Sequence, residues 1–317
     1  MDVMNDRPII AIGRSRYMYD SIRHLVSKGF RFAAIVTEKA YEEYDVKEQD
    51  FESLAKELNA AFFCTAQVNT PELVQLIKEQ NVAIAISANW RLKLQKDFLD
   101  LFACGVFNYH LGNLPDYIGN ATINWALVHG LDHINGNILK MDTGLDSGDI
   151  IVRKSVPIAE NDYVADVLYK AQQDTPGLFE KALRLVWNNY AYYELKGTSA
   201  GSRCFPRLPE DSQIQWDKPA GEIANLVRAS SHPYLGAYTY LNGERVTIWR
   251  ARAYYPSYEF YATPGHIVGI EKESGYILVA CGDGMLQLEE VEYKGQVATP
   301  ATNFKSIRLR FKYNHNG

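Results

Sequence analysis

The chain has 317 residues, of which 47% are hydrophobic and 22% are charged, and its formal net charge is −5. This composition is typical of a soluble globular protein and gives no general attraction to polyanions. The four cysteines are far apart and form no CxxC pair, so we expect reduced thiols and neither a disulfide framework nor a metal site.

Targeting signals are the next feature to consider. The stretch "MDVMNDRPII" lacks a signal-peptide pattern. No apolar run approaches the length of about 18–20 residues that a membrane span needs. We therefore predict a cytoplasmic protein that does not contact membranes.

In the first half of the chain, short apolar runs alternate with helix-like segments. The predicted strands are "PIIAIG", "FAAIVTE", "VAIAISA" and "VFNYHL", and the predicted helices are "SIRHLVSKGF", "FESLAKELN", "PELVQLIKEQN" and a short one near Lys96–Phe102. This alternation predicts an α/β domain with a Rossmann-like parallel sheet, in which ligands bind beyond the carboxyl ends of the strands.

The second half of the chain has a different sequence pattern. "DVLYKAQQDTPGLFEKALRLVWNN" has helical spacing that we expect to be interrupted at Pro176 and Gly177, and "AYYELKGTSAGSRC" is typical of a linker. After the short helix "AGEIANLVRA", the strands "GAYTYL", "RVTIWRARAY", "GHIVGIEK", "GYILVACG" and "MLQLEEVEY" follow at short intervals, with a hairpin signal at "LNGERV". Such strands predict a smaller β-barrel-like domain. The predicted domains are 1–200 and 201–317.

Two polar side chains mark the end of the last strand in the first half. Asn108 and His110 lie two residues apart in "VFNYHLGNLPDYIG" and share one face of a strand. A histidine in such a place is more often structural than catalytic. The loop "MDTGLDSGDI" (Met141–Ile150) favours the catalytic interpretation of His110, because a carboxylate from this loop, Asp146, can hold the tautomer of the ring. The alternatives for this loop are an ordinary Asp-Gly turn or a calcium loop, and the EF-hand spacing is missing.

Taken together, "FNYHLGNLPDYIGNATINWAL" and "MDTGLDSGDI" resemble the folate-dependent formyltransferase family. That family is marked by an Asn-x-His pair, a Leu-Pro just after it and an aspartate in a Leu-Asp-[Ser/Thr]-Gly-Asp loop; here these are Asn108 with His110, Leu114–Pro115 and Asp146. Residues 205–249 resemble the C-terminal region shared by the methionyl-tRNA and the UDP-4-amino-4-deoxy-arabinose branches. Gly112 and Asn113 stand where the family commonly has Ser-Leu, a departure that bears on the shape of the acceptor pocket.

The resemblance implies transfer of a formyl group from 10-formyltetrahydrofolate to a primary amine, without a metal. It implies that Asn108 donates a hydrogen bond to the oxygen that gains negative charge, that His110 accepts the amine proton, and that Asp146 orients His110 and stabilises its cationic form. It further implies that the folate lies between "SANWRLKLQ" and the Met141–Ile150 loop. By position, the folate-binding residues are Leu92, Lys93, Leu94 and Asp142.

The resemblance leaves more than one acceptor open, and initiator tRNA is one candidate. The stretch "TEKAYEEYDVKEQDFE" carries seven acids (Glu38, Glu42, Glu43, Asp45, Glu48, Asp50 and Glu52) against Lys39 and Lys47. From residue 201 onward, 13 Lys and Arg stand against 12 Asp and Glu, a net charge of +1. A nucleic-acid footprint needs clustered cations, so we expect no nucleic-acid partner.

A nucleotide-linked amino sugar fits this charge distribution better. We expect a 4-amino-4,6-dideoxyhexose type of acceptor, used in surface polysaccharide, lipopolysaccharide and O-antigen synthesis, with Tyr117, Asn120 and Arg207 as candidate substrate-binding residues. The alternative for Arg207 is a surface or interdomain ion pair. A methionyl-tRNA formyltransferase and a non-catalytic binding protein of the same fold are the alternative functions. A homodimer through the barrel region stays open.

Overall fold

The computed structural model describes residues 7–42, 44–188 and 201–313. The chain divides into two compact units that alternate along it: Met1–Gly119, Ile134–Val156 and Tyr169–Cys204 form the first, and Asn120–His133, Pro157–Leu168 and Phe205–Gly317 form the second. The predicted domains 1–200 and 201–317 are each continuous. Residues 189–200, with most of the predicted linker, lie outside the described residues.

The first unit is built on a seven-stranded sheet of order β3-β2-β1-β4-β5-β7-β8. Its strands, with the short β6 and β9 that pair only with each other, are β1 (Ile9–Gly13), β2 (Phe32–Thr37), β3 (Ala61–Cys64), β4 (Ile84–Ala88), β5 (Gly105–Leu111), β6 (Ile118–Gly119), β7 (His133–Lys140), β8 (Ile150–Pro157) and β9 (Arg203–Cys204). The strands from β3 to β5 are parallel, and β5 pairs with β7 in the antiparallel sense. The predicted Rossmann-like sheet is confirmed.

The helices begin and end as follows: α1 (Ser15–Ser27), α2 (Glu48–Glu57), α3 (Pro71–Glu79), α4 (Lys96–Leu99), α5 (Thr122–Val128), α6 (Val164–Trp187) and α7 (Ala220–Ser230). In α1 the apolar residues Met18, Ile22 and Leu25 follow helical spacing and are fully buried. Every residue of β4 is buried, because a central parallel strand is covered on both faces. This packing fixes the strand ends on which the candidate site stands.

Several elements differ from the sequence prediction, and two of these differences, at β3 and α6, have a clear physical reason. Strand β3 was not predicted, because its four residues are too few to show a period and the strand lies at the sheet edge. The predicted interruption at Pro176 is wrong, since α6 continues through it. The residues that follow the proline, Leu178 and Phe179 among them, are buried in the core, and this burial outweighs the loss of one helical hydrogen bond.

The second unit contains an antiparallel sheet of order β10-β11-β14-β13-β12, with β15 paired to β14. Its strands are β10 (Ala237–Leu241), β11 (Glu244–Tyr254), β12 (Ile267–Ile270), β13 (Ile277–Ala280), β14 (Met285–Tyr293) and β15 (Gln296–Ala298). Asn242 and Gly243 form the predicted hairpin with positive φ at both positions. Lys312 bridges Tyr240 and Arg310 bridges His266, so the C-terminal segment lies along both edges and gives the sheet its predicted barrel-like closure.

Among the described residues, no helix is long and apolar enough to cross a membrane. The same residues include no cluster of three or more His, Cys, Asp or Glu side chains arranged to hold a metal ion.

Candidate active site

Strand β5 carries Asn108 and His110 on one face at its carboxyl end. Asn108 lies opposite Ser87 of β4 and Leu139 of β7, and His110 lies opposite Asn137 of β7. The Asn108 side chain is partly exposed, and none of the described residues hydrogen-bonds to its amide. An unpaired amide beside a buried imidazole is therefore presented at the sheet edge where α/β folds bind ligands.

The imidazole of His110 faces the carboxylate of Asp146. Nδ1 of His110 lies 3.4 Å from Oδ2 of Asp146, and the two side chains are only 8% and 12% exposed. The same Oδ2 accepts a hydrogen bond from the backbone N–H of Gly119 at 3.0 Å. Asp146 has a φ of +49°, a conformation that Asp tolerates better than most residues. The loop thus holds its carboxylate in a fixed position beside the ring.

The other ring nitrogen of His110 is also engaged. Nε2 donates to the carbonyl oxygen of Tyr117 at 3.1 Å. A protonated imidazole donates at both nitrogens, one to this carbonyl and one toward Asp146. The surroundings of His110 therefore accommodate the cationic ring with an acceptor at each nitrogen.

The chain after β5 is held by a fully buried amide. Nδ2 of Asn137 donates to the carbonyl oxygens of His110 at 3.1 Å and of Gly112 at 2.8 Å. Arg153 in turn donates from Nε to Oδ1 of Asn137 and from Nη2 to the carbonyl of Leu114, both at 2.8 Å. Desolvation lowers the pKa of Arg153. Together these bonds fix the segment from His110 to Leu114, which we call the post-strand loop.

Sequence reasoning missed Asn137, Arg153 and the Gly119 N–H. The available signal was "HINGNILK", where Asn137 comes directly before the apolar pair Ile138 and Leu139. A polar residue at a buried strand position needs partners, and here the partners are backbone carbonyls of a neighbouring loop.

Gly112 explains the departure from the Ser-Leu sequence common in the resembled family. A Cβ at this position would collide with Nε2 of His110 and with the carbonyl oxygen of Tyr117. The glycine therefore leaves the space in which the imidazole reaches Tyr117.

The predicted folate residues lie in two loops. Leu92 is 41% exposed and Lys93 is exposed, whereas Leu94 is 1% exposed and belongs to the core. In the other loop, Oδ1 of Asp142 accepts hydrogen bonds from the N–H of Gly144 at 2.8 Å and from the hydroxyl of Ser147 at 2.7 Å. Leu94 and Asp142 thus use their side chains to build the loops.

The predicted substrate residues fall in different units. Tyr117 lies in the first unit, where burial raises the pKa of its phenol. Asn120 and Arg207 lie in the second, and Asn120 is exposed. Nη2 of Arg207 donates to the carbonyl of Asp211 at 2.9 Å and to the hydroxyls of Ser212 and Ser230, each at 3.2 Å. Burial lowers the pKa of Arg207. No carboxylate among the described residues forms a salt bridge with its guanidinium.

Two family models match this chain. The formyl transferase model matches residues 9–183, and the model of the formyl transferase C-terminal domain matches residues 208–308. The chain belongs to the formyl transferase family.

Several solved structures share the fold of this formyl transferase. WlaRD, a sugar 3N-formyl transferase determined with dTDP and 5-N-formyl-THF, is 20% identical with a TM-score of 0.65, over 92% of this chain and 99% of that one. The N-formyltransferase of Helicobacter canadensis, in complex with folinic acid and dTDP-3-aminofucose, is 19% identical with a TM-score of 0.66, over 90% and 99%. Methionyl-tRNA formyltransferase of Clostridium thermocellum is 16% identical with a TM-score of 0.54, over 83% and 99%.

Proposed function

We propose that this formyl transferase moves a formyl group from 10-formyltetrahydrofolate to the amino group of a nucleotide-linked amino sugar. The observation that carries the proposal is the placement of Asn108, His110 and Asp146 at one strand end, with 3.4 Å between Nδ1 of His110 and Oδ2 of Asp146. Two similar structures, from sugar N-formyltransferases, contain a folate together with dTDP or a dTDP sugar, which supports this choice of substrates.

Asn108 stabilises the charge that develops during transfer. When the acceptor amine attacks the formyl carbon, the formyl oxygen becomes negative. The unpaired Asn108 amide donates to that oxygen, and a donor of this kind contributes about 3–4 kcal/mol to transition-state stabilisation. Because the amide has no partner within the described chain, it is available without first breaking another bond.

Nδ1 of His110 accepts the proton that the attacking amine must lose, because Nε2 already donates to the carbonyl of Tyr117. A nitrogen–carbon bond to the acceptor forms, the bond from carbon to N10 of the folate breaks, and the proton passes to the departing N10. The Asp146 carboxylate stabilises the imidazolium between these two transfers, and the Tyr117 carbonyl accepts from its other nitrogen.

The residues around the predicted folate loop fit a polar heterocycle. When bound, 10-formyltetrahydrofolate supplies the formyl carbon and the leaving nitrogen. The indole N–H of Trp90 and the hydroxyl of Ser87 are buried and lack a hydrogen-bond partner among the described residues. We assign the folate to backbone groups of Leu92, Lys93 and Leu94 and to the turn built on Asp142, beside these two unpaired groups.

Charge favours a nucleotide sugar over tRNA as the acceptor. Of the acids between Thr37 and Glu52, Glu38 is buried and paired with Arg14 at 3.3 Å and Arg91 at 3.1 Å. The other described acids of this stretch remain an unfavourable surface for a phosphate backbone. A nucleotide sugar needs only a few contacts, for which Tyr117, Asn120 and Arg207 are the candidates. Such an enzyme acts in the cytoplasm, in the synthesis of surface polysaccharides such as O-antigen.

The decisive experiment incubates the purified protein with 10-formyltetrahydrofolate and a panel of acceptors. The panel contains dTDP-, UDP- and GDP-linked 3-amino and 4-amino sugars and charged initiator tRNA, and formylated products are identified by mass spectrometry. We expect at least one amino sugar to be formylated by the wild type and not by His110→Ala. Efficient formylation of the tRNA alone, or formylation by His110→Ala at the wild-type rate, contradicts the proposal.

A further inference from the structure

The second unit contains a cavity of about 530 Å³ that includes none of the candidate active-site residues. Its walls come from α7, β11, β14 and the segment before α6. The charged residues on these walls are Glu160, Arg228, Arg250, Arg252 and Glu289. The volume lies within the range of small-molecule sites, about 300–1,000 Å³.

The arginines outnumber the carboxylates on these walls. Glu289, whose side chain is 9% exposed, forms an ion pair with Arg252 and lies 4.0 Å from Nε of Arg250. One carboxylate thus serves two guanidiniums, and Glu160 is exposed to solvent. With three positive and two negative groups, the cavity carries an excess positive charge.

Arg228 is a pre-oriented cation that forms no salt bridge with a described carboxylate, although Asp162 and Glu160 lie near enough to act on its charge. It donates from Nε to the carbonyl of Asp162 at 2.7 Å, from Nη1 to Oδ1 of Asn225 at 3.0 Å and from Nη2 to the carbonyl of Ala159 at 3.0 Å. Burial lowers the pKa of Arg228, yet a guanidinium stays charged at neutral pH. These three bonds leave some of its N–H groups free for a ligand.

Arg250, on β11, also lines the cavity and lies over an aromatic ring. Its guanidinium lies 4.7 Å from the centroid of the Tyr163 ring, and the Tyr163 hydroxyl is hydrogen-bonded to the backbone of Ala251. The ring therefore orients one arginine, as the backbone carbonyls orient Arg228. Fixed guanidiniums are well suited to phosphate oxygens, which they bind in a bidentate manner.

We propose that this cavity binds a small anion with two linked phosphates, such as a nucleoside diphosphate, at a site separate from the catalytic residues. The excess positive charge and the fixed guanidiniums determine the class of ligand. The competing interpretation is that Arg228 only ties the Ala159–Asp162 segment to α7.

Calorimetric titration of the full chain with inorganic pyrophosphate tests this proposal. We expect one pyrophosphate to bind, with an affinity that falls as salt is added. Arg250→Gln is expected to weaken binding at least tenfold. The matched control is Arg245→Gln, because Arg245 also lies on β11 and over a tyrosine ring, that of Tyr238 at 4.1 Å, but outside the cavity.

Glu289→Gln tests the proposal through an expected gain, rather than a loss, in the affinity for pyrophosphate. Removing the carboxylate between Arg250 and Arg252 leaves more positive charge for the ligand, so pyrophosphate is expected to bind more tightly than to the wild type. A purely structural role predicts no such gain. A parallel titration with dTDP and UDP shows whether the base adds affinity beyond that of pyrophosphate.

The outcomes that overturn the proposal are definite. They are absence of pyrophosphate binding to the wild type at millimolar concentration, equal binding by Arg250→Gln and the wild type, or equal losses in Arg250→Gln and Arg245→Gln. None of these readouts depends on formyl transfer.

Discussion

Oδ1 of Asn137 accepts a hydrogen bond from Nε of Arg153 at 2.8 Å, which leaves both hydrogens of the Asn137 amide nitrogen directed at backbone carbonyls. The bond makes the orientation of a buried amide unambiguous, because the oxygen has a donor and the nitrogen has acceptors. Through this amide the antiparallel pair of β5 and β7 fixes the backbone at His110.

Asn137→Ala is expected to lower both stability and turnover. The substitution leaves buried carbonyls of the post-strand loop without donors, at a cost of about 1–3 kcal/mol for each unsatisfied group. We expect kcat to fall more than KM changes, since the Asn137 amide holds the backbone carbonyl of His110. Thermal unfolding and steady-state kinetics measure the two effects.

A substitution of nearly the same shape and a control separate the causes. Asn137→Asp keeps an acceptor for Arg153 but loses the amide donors, so it is expected to fail as Asn137→Ala does. Asn188→Ala alters an exposed asparagine at the end of α6 and is expected to change neither quantity. Wild-type kcat in Asn137→Asp would show that the donors are unimportant.

Asn108→Ala is expected to reduce kcat about 10²- to 10³-fold, the typical loss for removal of one oxyanion donor. The melting temperature is expected to stay near that of the wild type, because no described residue hydrogen-bonds to this side chain. Kinetics with a saturating acceptor, together with thermal unfolding, provide the comparison. A large stability loss at unchanged kcat would mean that Asn108 is structural.

Asp146→Asn tests the charge of the carboxylate separately from its geometry. Asparagine can still accept from the Gly119 N–H and tolerates positive φ, so the loop is expected to keep its shape. Without the negative charge, the imidazolium loses its counter-ion, and we expect kcat to fall about 10²-fold or more. If Asp146→Asn matches the wild type in single-turnover kinetics, the carboxylate charge has no part in the reaction.

Gly112→Ala is expected to reduce turnover by turning the His110 ring. The added methyl group would meet both Nε2 of His110 and the carbonyl oxygen of Tyr117, and the backbone oxygen has little freedom to move. Gly295→Ala is a useful control for loss of a glycine, because open space surrounds the position of its Cβ, although its φ of +76° makes the substitution locally strained. Comparable kcat values for wild type and Gly112→Ala would refute the requirement for space.

Thiol alkylation tests the burial of the cysteines. Burial raises the pKa of both thiols, that of Cys281 to about 12, so almost no Cys281 thiolate is present at pH 8, and Cys64 is the exposed thiol of the two. We expect iodoacetamide to modify Cys64 in the folded protein and to reach Cys281 only after denaturation. Mass spectrometry of peptides gives the order, and early modification of Cys281 would contradict the described packing.

The sequence predicts the sheet well because its central strands are continuous apolar runs. The apolar side chains of "VAIAISA" are removed from water only where both faces of the strand are covered, and the structure places this strand in the middle of the sheet. Edge strand β3 has no such requirement and is four residues long, so its pattern is too weak to detect. Pro176 shows a different limit of sequence-based prediction. The local preference of proline to end a helix is outweighed here by the burial of Phe179 and its neighbours in the core.

The pairing of His110 with Asp146 was predicted from the residue types and the resemblance, and the structure places the two side chains together. The support from Asn137 was not predicted, because the register that sets Asn137 opposite His110 exists only once β5 and β7 pair. The departure at Gly112 is visible in the sequence, but its reason, the close approach of the His110 ring, exists only in the folded chain.

The alternation of the two units along the chain has a consequence for biosynthesis. Helix α5 belongs to the second unit, and Asn124 in α5 donates to the carbonyl of Ala229 in α7, 105 residues later. During synthesis, α5 is made about 100 residues before α7. Its apolar residues Ile123 and Leu127, which are buried in the complete chain, therefore stay exposed to solvent until most of the protein has emerged from the ribosome. A nascent fragment ending near residue 200 thus exposes a helix whose partner has not yet been made, and a gene fragment starting at residue 201 would encode a barrel that lacks one of its own helices.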